Sequence, residues 1–113
     1  EPPVSAAPVR VLHDGGGVVA VDKPSTLPVH PTGRFRRNTV LGVLAKEASL
    51  PSLKVVHRLD RLTSGLLLLA HADSNAAADL SAQFAERRVR KRYLARVHGR
   101  LPQGSVVVDT PVR

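Results

Sequence analysis

Residues 56 to 70 read VHRLDRLTSGLLLLA, a charged loop that runs directly into an apolar segment. The last six residues, GLLLLA (65–70), form a continuous apolar run of strand length. Such a run is typical of a strand that is covered on both faces. The stretch therefore predicts a buried strand that follows a charged loop.

Two β-branched runs precede this stretch. Residues 9–12 read VRVL and residues 18–24 read VVAVDKP, with the glycine-rich sequence HDGGG (13–17) between them. Two short runs of this kind across a flexible turn predict a β-hairpin. Residues 25–38 contain two prolines and a glycine. We therefore expect a long loop there, and loops of that length in a small domain are often functional.

Helix signals occur twice. A cap at Asn38 or Thr39 predicts a helix through residue 48, and a cap at Asp73 or Ser74 predicts a second helix to about residue 86. The second helix has an apolar stripe that ends at Phe84.

The remaining patterns indicate extended structure. LKVVHRLD (53–60), RVRKRYLARVHG (88–99) and SVVVD (105–109) each predict a strand or an extended segment. We expect residues 1–8 to be a flexible leader, because they are rich in proline and small residues. The element order predicts an α+β domain with a mixed, mostly antiparallel sheet and two flanking helices.

Composition limits the possible functions. A chain of 113 residues, 42% of them hydrophobic, has room for one core. The absence of cysteine excludes a disulfide scaffold, a thiolate metal site and a cysteine nucleophile. No stretch approaches the roughly 18 apolar residues that a membrane span requires, so we expect no membrane partner. A chain that starts at Glu1 and contains no methionine indicates a protein that was processed or cut from a longer one.

The charge indicates a polyanionic partner. Seventeen Lys and Arg residues oppose nine Asp and Glu residues, which gives a net charge of +8. Most of the cations are arginine, whose planar guanidinium suits phosphate, so RNA or DNA is the expected ligand. A basic surface that only keeps the protein in solution is the alternative.

The densest chemistry lies at residues 57–61. In an extended segment, Arg58 and Asp60 point to one side while His57 and Leu59 point to the other. Cations beside Asp60 favour the ionised carboxylate that a nucleophile requires. The alternative is a surface ion pair of little energetic consequence. Because His57 points away from Asp60, we expect it to be structural.

The sequence HRLDRLTSGLLLLA resembles the signature loop of the RluA-type pseudouridine synthases. VVAVDKPSTLPVHP and KRYLARVHG are similar to two other segments of that family, and all three occur in the family's order. With GRFRRNT (33–39), the chain is most similar to the eukaryotic branch that modifies tRNA. The resemblance implies that residues 9–113 are the N-terminal part of a catalytic domain that isomerises uridine in RNA.

The resemblance also implies roles for individual residues. Asp60 would be catalytic, either attacking a flipped uridine or removing a proton from it. Arg58 would occupy the space that the flipped base leaves in the RNA. Tyr93 would lie against the uracil, where an aromatic face stacks on a base. A tyrosine in the hydrophobic core is the alternative for Tyr93.

Other arginines are candidates for RNA contact. Arg34, Arg36 and Arg37 surround Phe35 in the long loop, and Arg61 follows the catalytic candidate. A solvated basic face is the alternative. The histidines lack metal-ligand spacing, so we expect no metal and no organic cofactor. The expected partner is RNA, either tRNA or rRNA, and the expected state is an intracellular monomer whose compartment the sequence leaves open.

The chain departs from the family in one respect. The family's third motif, a strand that supplies an arginine for the catalytic aspartate, is absent from these 113 residues. We therefore expect the piece alone to be poorly active or inactive. The alternative function is a catalytically inactive RNA-binding or ribosome-assembly factor with the same fold.

Overall fold

The computed structural model describes residue 4 and residues 7–35, 37–96 and 99. The elements are β1 (Arg10–Gly15), β2 (Val18–Lys23), α1 (Val40–Glu47), β3 (Leu53–Val55), β4 (Gly65–His71) and α2 (Asn75–Ala85). The four strands form one sheet in the order β1-β2-β4-β3. The predicted α+β class with two helices is confirmed. Every pairing among the described residues is antiparallel, so the parallel pair of a mixed sheet does not occur within them.

The predicted hairpin is confirmed, with a tighter turn than the sequence suggests. Gly16 and Gly17 have φ angles of +62° and +81°, as a two-residue type I′ turn requires. Residues 13–15 continue β1 and pair with β2, because two glycines alone are enough to reverse the chain. A Cβ built on Gly17 would lie 2.7 Å from Ser74 Oγ, so the turn packs closely against the start of α2.

Helix α1 begins at one of the two predicted caps. The Thr39 side chain accepts a hydrogen bond from the Gly42 amide at 3.0 Å, which satisfies one of the free N–H groups at a helix start. Two further N–H groups at the start of α1 donate to the carbonyls of Pro28 and Val29, at 2.9 and 3.1 Å. The long loop is therefore fixed to the helix, although its described residues form no helix or strand.

The core lies between the sheet and α1. Alternate residues of β2 and β4 point to one face of the sheet, where α1 and two loops cover them. Its buried members are Val19, Val21, Leu27, Val29, Val40, Leu44, Leu59, Leu67 and Leu69. Val4 and Val9 pack against this cluster from the N-terminal segment.

The other face of β4 is covered at one end. Ala70 is fully buried, but Leu66, on the same face, is 59% exposed. The expectation of cover on both faces is therefore wrong at Leu66. The reason is the position of α2, whose first residues pack near the hairpin turn while its last residues leave the start of β4 open.

The predicted strand at 88–99 is wrong over its described part, since residues 88–96 have no regular structure. Within its described residues, this segment pairs with neither β1 nor β3, the two outer strands of the sheet. Residues 89–94 instead line a cleft over the face that carries Leu66 and Leu68. The predicted strand at 105–109 and residues 1–3, 5 and 6 of the predicted leader lie outside the described residues.

Within the described part of the chain, neither helix has the length and apolar character that crossing a bilayer requires.

Candidate active site

The loop between β3 and β4 comprises residues 56–64. At its start, the His57 side chain takes over the hydrogen bonding to β4 that β3 provides up to Val55. The β3–β4 ladder ends at Val55, which pairs with Leu69. The next free amide of β4, that of Leu68, donates to His57 Nε2 at 3.0 Å. The imidazole ring also stacks on Phe84 of α2, with ring centroids 4.3 Å apart. His57 thus joins the loop to both a strand and a helix.

Four more interactions hold the loop backbone. Leu59 is buried in the core, and the Thr63 amide donates to the Asp60 carbonyl at 2.9 Å to close a turn. Lys23 Nζ donates to the carbonyl of Arg61 at 3.0 Å. Ser25 Oγ donates to the carbonyl of Leu62 at 2.8 Å. The backbone is therefore fixed on both sides of Asp60, while the side chain of Asp60 is exposed.

Lys23 contacts the loop that carries Asp60, and the sequence analysis assigned it no role. Its side chain is completely buried at the end of β2. The ammonium donates to three carbonyls, those of Pro24 (2.9 Å), Leu27 (2.8 Å) and Arg61 (3.0 Å), which uses all three of its protons.

The charge of Lys23 is affected by its surroundings. Burial lowers the pKa of the Lys23 ammonium, the positive charge of Arg61 lowers this pKa further, and the Asp60 carboxylate opposes both effects. A sequence signal was available, because Val19, Val21 and Lys23 follow one another at period two and so share the buried face of β2. Lysine is almost never fully buried without partners, so a lysine at an inward position predicts that polar groups surround its ammonium.

Asp60 lies in an open cavity of about 290 Å³. One wall is the long loop, and the other is residues 58–61. The lining residues are Pro28, Val29, His30, Thr32, Phe35, Arg58, Leu59, Asp60 and Arg61. The structure thus brings together three of the residues that the sequence predicts for the site, namely Arg58, Asp60 and Arg61.

The two arginines of the cavity contact groups other than Asp60. Arg58 Nη1 lies 3.3 Å from His30 Nε2, and the Arg61 guanidinium lies over the Phe35 ring, 5.7 Å from its centroid. Among the described residues, Asp60 forms no ion pair. Its carboxylate is therefore open to a ligand in a cationic setting. Residues 57–60 are not a regular strand, but Arg58 and Asp60 do reach the same cavity.

Tyr93 lies in a different cavity. It is 59% exposed and lines a cleft of about 620 Å³ together with His57, Leu66 and Phe84. This cleft and the Asp60 cavity share only Leu59 among their described lining residues. The described arrangement does not bring Tyr93 to Asp60, so its contact with a substrate base stays a prediction.

The arginines of the long loop are in part described. Thr32 and Phe35 exchange two backbone hydrogen bonds of 2.9 Å, which closes a tight turn with Gly33, at φ +53°, and Arg34 at its tip. Arg34 and Arg37 are exposed, and Arg36 lies outside the described residues. No group of three or more potential metal-ligating side chains occurs in the described part of the chain.

Known proteins match this chain along nearly all of its length. It is 46% identical over 112 residues to human pseudouridylate synthase RPUSD2, covering 99% of this chain and 20% of that protein. It is 45% identical over 113 residues to RNA pseudouridine synthase 7 of Arabidopsis thaliana, covering 99% of this chain and 28% of that protein. The chain therefore spans less than a third of the length of these relatives.

Two further comparisons also match proteins named as pseudouridine or pseudouridylate synthases. The mitochondrial tRNA pseudouridine(32) synthase of Saccharomyces cerevisiae is 40% identical over 113 residues, covering 100% of this chain and 24% of that protein. The solved structure of human RNA pseudouridylate synthase domain containing 4 superposes with a TM-score of 0.54 at 34% identity, covering 70% of this chain and 30% of the other.

A family model described as RNA pseudouridylate synthase matches residues 17–112. The match includes β2, the long loop, both helices and the whole of the β3–β4 loop with Asp60. The resemblance to the RluA-type enzymes is thereby confirmed, and the chain belongs to the RNA pseudouridylate synthase family.

Proposed function

We propose that the protein, at its full natural length, isomerises uridine to pseudouridine in RNA with Asp60 as the catalytic residue. The observation that carries this proposal is the position of Asp60, an exposed carboxylate on a backbone fixed from both sides, in a cavity between two arginines. A fixed backbone matters because a catalytic group must be held close to its productive geometry. The names of the matched relatives support the same reaction.

The reaction is an isomerisation, so substrate and product contain the same atoms. The bond between N1 of uracil and C1′ of ribose breaks, the uracil turns, and a bond forms between its C5 and C1′. The hydrogen of C5 leaves to solvent, and N1 takes up a proton. Asp60 starts this sequence by attacking the uridine or by removing a proton from it, and both first steps need the carboxylate in its ionised form.

The basic surface around the cavity provides for RNA binding. Arg58 and Arg61 line the cavity, and Arg34 and Arg37 are exposed on the adjoining loop. Reaching a base inside structured RNA requires flipping it out, at a cost of a few kcal/mol. The family resemblance assigns Arg58 to the space that the base vacates, and its exposed position in the Asp60 cavity supports this role. Arg34, Arg36 and Arg37 then hold the flanking phosphates.

The proposal is tested with the full-length protein in cells that lack it. Wild type and Asp60→Asn are returned to these cells, and pseudouridine is mapped chemically in total tRNA and rRNA. We expect wild type to restore specific sites and Asp60→Asn to restore none. Asp79→Asn, an equally exposed substitution on α2, is the matched control and restores the sites.

The same cells separate catalysis from binding. Pseudouridine restored by Asp60→Asn would contradict the proposal and favour an RNA-binding or assembly factor. To show that Asp60→Asn loses catalysis and not RNA binding, the RNA bound to each variant is recovered and compared. Asp60→Asn is expected to capture the same RNA as wild type, because the substitution removes one exposed carboxylate and none of the arginines.

A further inference from the structure

His30 lies on the wall of the Asp60 cavity that faces residues 58–61 of the β3–β4 loop. Its imidazole is half-buried, and it contacts two groups. Nε2 lies 3.3 Å from Arg58 Nη1, and Nδ1 lies 3.2 Å from the carbonyl oxygen of Pro31. His30 belongs to the family-like segment VVAVDKPSTLPVHP, but no sequence pattern assigns it an individual role.

The two contacts indicate the protonation state and the tautomer of the His30 ring. A guanidinium can only donate, so His30 Nε2 must accept from Arg58. A carbonyl can only accept, so His30 Nδ1 must carry a proton and donate to Pro31. Both contacts are satisfied together by one species, the neutral imidazole with its proton on Nδ1.

The backbone that carries His30 is held firmly. The carbonyls of Pro28 and Val29 accept hydrogen bonds from the first amides of α1. The side chain of Val29 is buried in the core, and the carbonyl of Leu27 accepts from Lys23. A histidine on such a support can restrain a longer side chain that is otherwise free in solvent.

We propose that His30 is a positioning residue, which in its neutral form holds the Arg58 guanidinium at the mouth of the Asp60 cavity before RNA binds. The inference rests on the proposed function and extends it to a residue that does not touch the reacting atoms. Arginine loses considerable rotamer freedom when it is fixed in a complex. A guanidinium that is already restrained loses less of that freedom when the RNA arrives, which favours the flipped state.

The test uses the full-length protein and RNA from cells that lack it, labelled with tritium at C5 of uridine. Release of tritium to water reports the isomerisation, because the C5 hydrogen leaves. We expect His30→Ala to lower kcat/KM by about 3- to 10-fold, the effect of freeing one flexible side chain. His30→Gln is expected to restore most of the rate, since a Gln side-chain oxygen can accept from Arg58 in place of Nε2.

A double-mutant cycle tests whether His30 acts through Arg58. In a protein that already carries Arg58→Ala, adding His30→Ala is expected to change kcat/KM no further. The control is His13→Ala, a substitution of an exposed histidine on β1, which keeps the wild-type rate. Full activity of His30→Ala would overturn the inference, and so would a multiplicative loss in the double variant or a His30→Gln variant as slow as His30→Ala.

The inference and the proposed function fail in different ways. Tritium release by Asp60→Asn at the wild-type rate would overturn the proposed function. Loss of release in Asp60→Asn together with a fully active His30→Ala would overturn only the role of His30.

Discussion

The ammonium of Lys23 donates to the backbone carbonyl of Arg61 at 3.0 Å, across 38 positions of sequence. This bond joins the end of β2 to the residue that follows the catalytic candidate. Removing a charged donor from a buried site leaves its acceptors without partners, which costs more than the bond itself contributes.

Lys23→Met is therefore expected to lower the free energy of unfolding by about 3 kcal/mol, because one buried and two partly buried carbonyls lose their donor. Lys54→Met is the matched control, since Lys54 is exposed on β3, and its effect is expected to stay within about 0.5 kcal/mol. Chemical denaturation of the two variants gives the comparison. Equal losses in both variants would show that the contacts of Lys23 contribute little to stability.

The second prediction concerns pH. Burial lowers the pKa of His57 below its ordinary 6.5, with the charge of Lys91 adding to the effect. Below pH 6.5 the unfolded chain therefore takes up a proton that the folded chain resists. The stability that the neutral ring confers is complete above that pH and is lost as the pH falls toward the folded-state value, by at most about 1.4 kcal/mol per pH unit.

His57→Gln removes this titration and keeps an acceptor for the Leu68 amide. We expect the variant to show a flatter fall in stability between pH 7 and pH 5 than wild type, as measured by thermal unfolding at each pH. His13→Gln serves as the control and should retain the wild-type slope, because His13 is exposed. Parallel curves for His57→Gln and wild type would contradict the prediction.

The third prediction concerns the RNA surface. Arg34 stands at the exposed tip of the turn closed by Thr32 and Phe35. If it contacts a phosphate, Arg34→Gln weakens RNA binding and reduces the slope of log K against log salt by about 0.7. Arg10→Gln, at an exposed position on β1, is expected to leave the slope unchanged. Titrations of the full-length protein at several salt concentrations decide this, and an unchanged slope in Arg34→Gln would remove Arg34 from the interface.

The fold was predictable where its determinants are local. The cap at Thr39, the glycine turn and the apolar run of β4 each depend on residues within a few positions of one another. The strand predicted at 88–99 failed over its described part for the opposite reason. Alternation shows that a segment can form a strand, but whether it joins the sheet depends on contacts with distant residues, which a local pattern does not report.

The sequence predicted which charged residues share the candidate site, but it did not predict the contacts that hold them in place. Arg58, Asp60 and Arg61 are adjacent in sequence, so one motif reveals them all. His30 and Lys23 reach this motif from 28 and 38 positions away, and no local pattern reports such distances. Tyr93 shows the same limit, because its position relative to Asp60 depends on how a whole segment crosses the sheet.

The alternation of fixed and exposed groups in the β3–β4 loop has an evolutionary consequence. The ring of His57, the side chain of Leu59 and the carbonyl of Arg61 are held at two-residue intervals, and the exposed residues lie between them. Deleting or inserting one residue is expected to displace Leu59 from the core or Asp60 from its cavity. We therefore expect evolution to conserve the length of this loop more strictly than the length of the exposed turn at Gly33 and Arg34.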